Sequence, residues 1–98
     1  MQENYGINEK NLLAHELIGL KARVSESNCK ERIGIEGTIV DETKNTFKLE
    51  TKKGETILPK KECIFEFSLP KNKKATVKGK TLCFRPEDRI KEYWRKAI

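Results

Sequence analysis

The feature that most constrains this chain is a two-residue hydrophobic period between Leu20 and Phe84, cut every few residues by glycine, proline or a polar turn. Such a period places alternate side chains on opposite faces of a strand, so each segment has one face to bury and one to show to water. Leu20, Ala22 and Val24 alternate with Lys21, Arg23 and Ser25. A second strand is predicted over 33–40, with Ile33, Ile35, Gly37 and Ile39 on one face and Glu36 and Thr38 on the other. Asp41 to Asn45 reads as a turn, and Phe47 and Leu49 face inward from the strand 46–51. Lys53-Gly54 makes the next hairpin turn, and a short strand over 55–58 ends at Pro59. Cys63, Phe65, Phe67 and Leu69 share one face of a further strand. A basic loop is predicted over 70–74, then two short strands, 75–78 and 80–84, about Gly79. About six short antiparallel strands in some 65 residues point to a small barrel, and glycines within strands supply the bends that closing it requires.

Helices are predicted at both ends. Asn8 caps an expected helix that runs to Ile18, places Leu13 and Leu17 one turn apart and stops at Gly19. At the other end, Arg85-Pro86-Glu87-Asp88 has the proline and first-turn acids of a helix start. Ile90, Tyr93, Trp94, Ala97 and Ile98 follow the spacing of one buried face, with Trp94 expected as a packing anchor. The expected organisation is one domain over 1–98: an N-terminal segment and helix over 1–19, a barrel over 20–84 and a helix over 85–98.

Only 36% of the 98 residues are hydrophobic and 37% are charged, so the core is small and the surface ionic. Neither a (β/α)8 barrel nor a dinucleotide-binding fold fits in this length. No apolar run approaches the ~20 residues of a membrane span. The first ten residues have neither the basic start nor the apolar stretch of a secretory signal, and a cytoplasmic location is expected. Cys29, Cys63 and Cys83 are an odd set without close pairing, which suits buried free thiols and falls short of a zinc site, even with His15.

Charge is unevenly placed. Residues 1–70 carry 11 Lys/Arg against 12 Asp/Glu, whereas residues 71–98 carry 10 against 3. That basic end fits a polyanionic partner, because each phosphate met by lysine or arginine releases counterions. The sequence has no phosphate-binding glycine loop, nucleophile elbow or zinc-protease helix, and Glu87 and Asp88 are accounted for by the helix start. No catalytic or metal-binding residue is expected. A binding module is favoured over an enzyme such as a metal nuclease.

Four blocks, NLLAHELIGL at 11–20, GIEGTIVDETKNTF at 34–47, LPK at 58–60 with IFEFSLP at 64–70, and RPEDRIK at 85–91, resemble archaeal ribonuclease P protein component 1. Eukaryotic relatives of that family serve both ribonuclease P and ribonuclease MRP. The resemblance implies a bent antiparallel barrel of the Sm-like type with helices at both ends. It implies a non-catalytic, RNA-binding subunit of a ribonucleoprotein whose RNA, holding magnesium, removes the 5′ leader from precursor tRNA. This chain would need no cofactor of its own. It further implies a heterodimer with a zinc-ribbon subunit of the same enzyme. Mapped here, the partner would meet Leu12, Leu13, His15, Glu16 and Leu17, with Glu36, Thr38 and Val40 on the adjoining strand. RNA would meet Lys44, Lys71, Lys73, Lys74, Lys78, Lys80, Arg85 and Arg89, although Arg85 and Arg89 also have Asp88, Asp41 and Glu42 as possible internal partners. A ribosomal or general RNA-binding barrel, or a protein-interaction adaptor with a solubilising basic end, are the competing readings.

Overall fold

The computed structural model describes residues 11–97. Six strands form one antiparallel sheet: β1 (Lys21–Ser27), β2 (Glu36–Glu42), β3 (Thr46–Thr51), β4 (Gly54–Pro59), β5 (Cys63–Leu69) and β6 (Lys73–Lys78). Their order is β4-β3-β2-β1-β5-β6, so β4 and β6 are edges that share no strand pairing. The fold is the expected mainly-β, barrel-like one, but the ladder is not closed. Short 3-10 turns bring the ends of β4 and β6 together: Lys60–Glu62 follows β4, and Gly79–Leu82 follows β6. Gly79 is buried there, and a Cβ on it would lie 1.7 Å from the Lys60 carbonyl oxygen. Only glycine permits that approach, so this residue sets how tightly the seam is drawn.

Alternation builds the core as predicted in β1, β3 and β5. Val24, Phe47, Leu49, Phe65 and Phe67 are fully buried. Phe47 meets Phe65 edge to face, with ring centres 5.2 Å apart, and Phe67 closes the cluster. Leu12, Leu17 and Leu82 cap it from the connecting segments, and Leu58 joins it from β4.

Four expectations need correction. The N-terminal helix is a single 3-10 turn, Leu12–Ala14. A continuing α-helix would give the Leu13 and His15 carbonyls to the amides four residues on. Instead both accept from Arg89, and the Gly19 amide donates to the Ile39 carbonyl at 2.8 Å. Asn8, the expected cap, lies outside the described residues. Residues 33–35 are not strand: Gly34 has φ 92°, Ile33 is exposed, and β2 begins at Glu36. The predicted strand over 80–84 is the turn that seals the seam, since Leu82 turns into the core. Lys73 and Lys74, expected in a loop, open β6.

The C-terminal helix, α1 (Pro86–Ala97), starts where its proline and acids predict. Its rotation differs from expectation. Arg89 is fully buried and Tyr93, one turn later, is half-buried, with its hydroxyl donating to the Thr81 carbonyl at 3.1 Å. Trp94 is turned about 100° away from Tyr93 and is 54% exposed, so it is no core anchor. Ile98 lies outside the described residues, as does the side chain of Ala97.

Candidate nucleic-acid interface

β6 is an edge strand, and its cations line that edge. Lys73, Lys74 and Lys78 are exposed, Lys71 stands at the β5–β6 turn, and Lys80 stands in the turn after β6. Ala75 pairs with Phe67 and Val77 with Phe65 on the inner face. Lys74 and Lys78 therefore share the outer face with Thr76, and Lys73 pairs with Leu69 at the rim. Lys71, Lys73, Lys78 and Lys80 have no ionic partner among the described residues, and Lys74 reaches Glu66 only at 3.8 Å. Lys71 and Asn72 take left-handed backbone, φ 66° and 62°, which lets a three-residue turn reverse the chain. The structure thus brings five of the eight predicted RNA-binding residues onto one edge.

The other three are placed differently. Lys44 is exposed in the β2–β3 turn, which the Lys60 amide ties to the seam through the Asn45 carbonyl at 2.8 Å. Arg85 is exposed and bonded to Asp88, Nε to Oδ2, at 3.0 Å. Arg89 is corrected: its side chain is wholly inside the protein and is committed there.

Arg89 belongs to a buried cluster that local sequence does not reveal. Its Nη2 and Nε donate to the two carboxylate oxygens of Glu42 at 3.0 and 3.2 Å. Its Nη1 donates to the Leu13 and His15 carbonyls at 2.7 and 2.8 Å. The Lys60 ammonium, equally buried, donates to Glu42 at 2.9 Å and to the Leu82 and Phe84 carbonyls at 2.8 and 3.2 Å. It also sits 4.8 Å from the centre of the Phe47 ring. Burial pushes the Lys60 ammonium below the usual lysine range, and the Glu42 carboxylate opposes that shift. No buried side-chain nitrogen or oxygen among the described residues lacks a partner. One carboxylate and two cations thus join β2, the seam, α1 and the N-terminal turn.

A β-bulge explains why Glu42 faces inward. Ile39 pairs with Leu49, but Asp41 pairs with Lys48 and Glu42 with Phe47. The extra residue at Val40 reverses the parity of the strand. Asp41 turns out to water, and Glu42 turns in beside Ile39. Strict alternation, or a turn beginning at Asp41, misses this. A usable signal was present all the same: Glu42, Lys60 and Arg89 come from three of the blocks quoted above, and those blocks meet at this cluster.

Of the predicted partner-binding residues, Leu12 and Leu17 are fully buried in this chain's own core, which removes them as surface contacts. Leu13 and His15 are half-buried and Glu16 is exposed. On β2, Glu36 is exposed and lies 3.9 Å from Arg23, while Thr38 and Val40 are half-buried. The bond from Gly19 to Ile39 sets the N-terminal turn beside β2, so the two predicted groups adjoin.

Other chemistry is sparse. Among the described residues no group of three or more His, Cys, Asp or Glu could hold a metal ion, and the three cysteines are free. Burial pushes the Cys63 thiol above its usual range, opposed by the Ser27 hydroxyl. An open groove of about 980 Å³ on the outer sheet face is lined by five cations and five carboxylates, among them Lys21, Arg23, Glu50 and Glu66. That balance suits a polyanion less well than the β6 edge does. No helix among the described residues is long and apolar enough to cross a membrane.

Fold and surface together define a small barrel-like β protein, stapled by a buried ionic cluster and basic along one edge. The family model described as ribonuclease P/MRP, subunit p29, matches residues 10–92. Ribonuclease P protein component 1 of Methanosphaera stadtmanae is 43% identical over 90 residues, covering 92% of this chain and 97% of that protein. The component 1 protein of Methanocaldococcus jannaschii is 46% identical over 87 residues, covering 88% and 90%. Among solved structures, Mth11, described as a homologue of the human ribonuclease P protein Rpp29, superposes with TM-score 0.56 at 42% identity, covering 78% of this chain and 99% of that one. The chain belongs to the ribonuclease P/MRP subunit p29 family.

Proposed function

We propose that the chain is a non-catalytic, RNA-binding protein subunit of archaeal ribonuclease P, acting in 5′ maturation of precursor tRNA in the cytoplasm. Family membership supports the assembly, and the β6 edge supports the manner of binding. The observation that carries RNA binding is five exposed lysines on one edge strand and its flanking turns, four of them without an ionic partner among the described residues. Lysines of this kind meet phosphate as point charges and read little base sequence. Folded RNA is held largely through shape and backbone contacts, so a rigid protein presenting cations favours the RNA arrangement that matches it. Magnesium and the reacting groups belong to the RNA. A zinc-ribbon subunit would dock on the remaining accessible partner residues: Leu13, His15, Glu16, Glu36, Thr38 and Val40.

One observation favours a second reading of the lysines. An unpaired edge strand invites pairing with other chains, and lysine guards against it. The salt dependence of RNA binding separates the two roles. Replacing Lys73 and Lys74 together with glutamine should weaken binding to ribonuclease P RNA and lower the slope of log K against log salt by roughly 1.4–1.8. An unchanged slope makes the lysines edge guards only. Reconstitution tests the assembly: with the RNA and the other subunits at limiting magnesium, adding this chain together with the zinc-ribbon subunit should restore cleavage of precursor tRNA.

A further inference from the structure

The seam between β4 and β6 gathers cations from distant parts of the chain. Gly79 lies against the Lys60 carbonyl, which sets the next residue, Lys61, beside the two neighbours of Gly79, Lys78 and Lys80. All three lysines are exposed and line one open cleft of about 290 Å³. Lys60 and Lys61 thus do opposite things. The first ammonium is bonded to Glu42 inside the protein, and the second has no ionic partner among the described residues.

The start of β5 runs through the cleft and holds its carboxylates apart from the lysines. Ile64 pairs with Lys78 on one side and with Glu26 on the other. Glu26 and Lys78 therefore stand two strand spacings apart, roughly 9–10 Å, and Glu26 makes no ion pair among the described residues. The other carboxylate at the cleft, Glu62, is bonded to Arg32 at 2.7 Å. Asn28 is tied in by its backbone amide, which donates to the Glu62 carbonyl at 3.2 Å. Its exposed side chain lines the same cleft and has no hydrogen bond among the described residues. Three unpaired cations and one neutral donor thus share a single space.

We infer that this cleft is a seat for one backbone phosphate of the RNA, held by Lys61, Lys78 and Lys80 with the Asn28 side-chain amide as a neutral donor. This rests on the proposed RNA-binding role and adds where the RNA leaves the β6 edge: over the seam, onto the turn after β4. Lys78 and Lys80 belong both to the edge and to the cleft, so phosphates laid along β6 lead into the seat, which favours RNA over an acidic protein segment. An anion there also relieves the mutual repulsion of like charges set close together. The cleft is several times the ~30 Å³ share of one water, so a phosphate enters with part of its hydration.

The full chain would be titrated with ribonuclease P RNA over a series of salt concentrations. Lys61→Glu, which sets a carboxylate against the seat, should weaken binding and lower the slope of log K against log salt by roughly 0.7–0.9, one phosphate contact. Lys52→Glu is the charge-matched control, at an exposed lysine of the β3–β4 turn outside both edge and cleft, and should change the slope by less than half as much. Asn28→Ala removes a donor and no charge, so affinity should fall with the slope unchanged. Cations on one phosphate act together: Lys61→Gln combined with Lys80→Gln should depart from the product of the single effects by more than about twofold, whereas Lys61→Gln with Lys73→Gln should multiply. An unchanged slope in Lys61→Glu, or an equal fall in Lys52→Glu, overturns the seat. So does a Lys61→Glu protein that binds RNA normally and loses only a protein partner, which would assign the cleft to an acidic protein segment. If no RNA binds the unaltered chain, the wider RNA-binding role fails. If Lys73 and Lys74 carry the slope and Lys61 does not, only the seat fails.

Discussion

Replacing Glu42 with glutamine should be among the most damaging near-isosteric changes this protein can suffer. The substitution preserves shape, so no cavity contributes. It removes the single negative charge between two cations that are both wholly buried. Three short hydrogen bonds, at 2.9, 3.0 and 3.2 Å, lose their ionised acceptor. The new amide also turns an NH2 group toward one of the donors. Breaking one buried ion pair by removing a partner costs about 3–5 kcal/mol. Here one carboxylate serves two pairs, so the upper half of that range, ~4–5 kcal/mol, is expected. A domain of this size holds about 5–15 kcal/mol in total. At ~4–8 °C per kcal/mol, the melting temperature should fall by roughly 16–40 °C. Urea unfolding with an unchanged m value, alongside a thermal melt, measures it. Asp41→Asn, at the neighbouring exposed carboxylate, should shift stability by less than ~0.5 kcal/mol. Lys60→Met leaves Glu42 bonded to Arg89 through two nitrogens and should cost less than Glu42→Gln. A Glu42→Gln cost below ~1 kcal/mol, or a Lys60→Met cost above that of Glu42→Gln, would refute the reasoning that the carboxylate holds the cluster together.

Two further outcomes follow from particular groups. Gly79→Ala sets a methyl 1.7 Å from the Lys60 carbonyl oxygen and 2.7 Å from that of Cys63, both backbone atoms. Its cost should reach or pass the ~3 kcal/mol top of the usual overpacking range; Gly34→Ala, which meets no atom within 4 Å, carries only the strain of its positive φ, about 1 kcal/mol. Because burial raises the folded-state pKa of Cys63, its stabilising contribution is complete below the ordinary thiol value of about 8.5 and is lost as pH rises through the raised one. Cys63→Ala should therefore remove part of any alkaline loss of stability, and a pH series of urea midpoints showing the same slope in both proteins contradicts this. Lys60, lowered, acts with opposite sign, so the comparison must keep it in place in both proteins.

Much of the fold was legible because its determinants are local. Period-two alternation in 20–25, 46–51 and 63–69 identifies three strands and the residues each buries, since a strand with one wet face has no other register. The start of α1 was equally plain, because proline and acids act within one turn. The basic edge could be read as charge density, and five of the eight expected RNA-binding cations do share it. The failures cluster where a distant group competes for local backbone. The N-terminal segment has helical spacing, yet Arg89 takes two of the carbonyls a helix would use. Residues 80–84 look like a strand, yet Lys60 claims the carbonyls of Leu82 and Phe84.

By itself, then, the sequence determined which segments extend, which of their faces are apolar, where α1 begins and which end of the chain is cationic. These properties depend on neighbours within a few residues. Only the tertiary structure decided what each charge does. One bulge at Val40 turned Glu42 rather than Asp41 inward, and that carboxylate drew Lys60 and Arg89 out of water from 18 and 47 residues away. Arg89 and Lys71 carry the same charge in the sequence, and nothing local tells a core staple from a surface contact. The difference lies in whether the folded chain delivers a buried carboxylate to the cation, because an ion leaves water only where another charge and enough hydrogen bonds replace it.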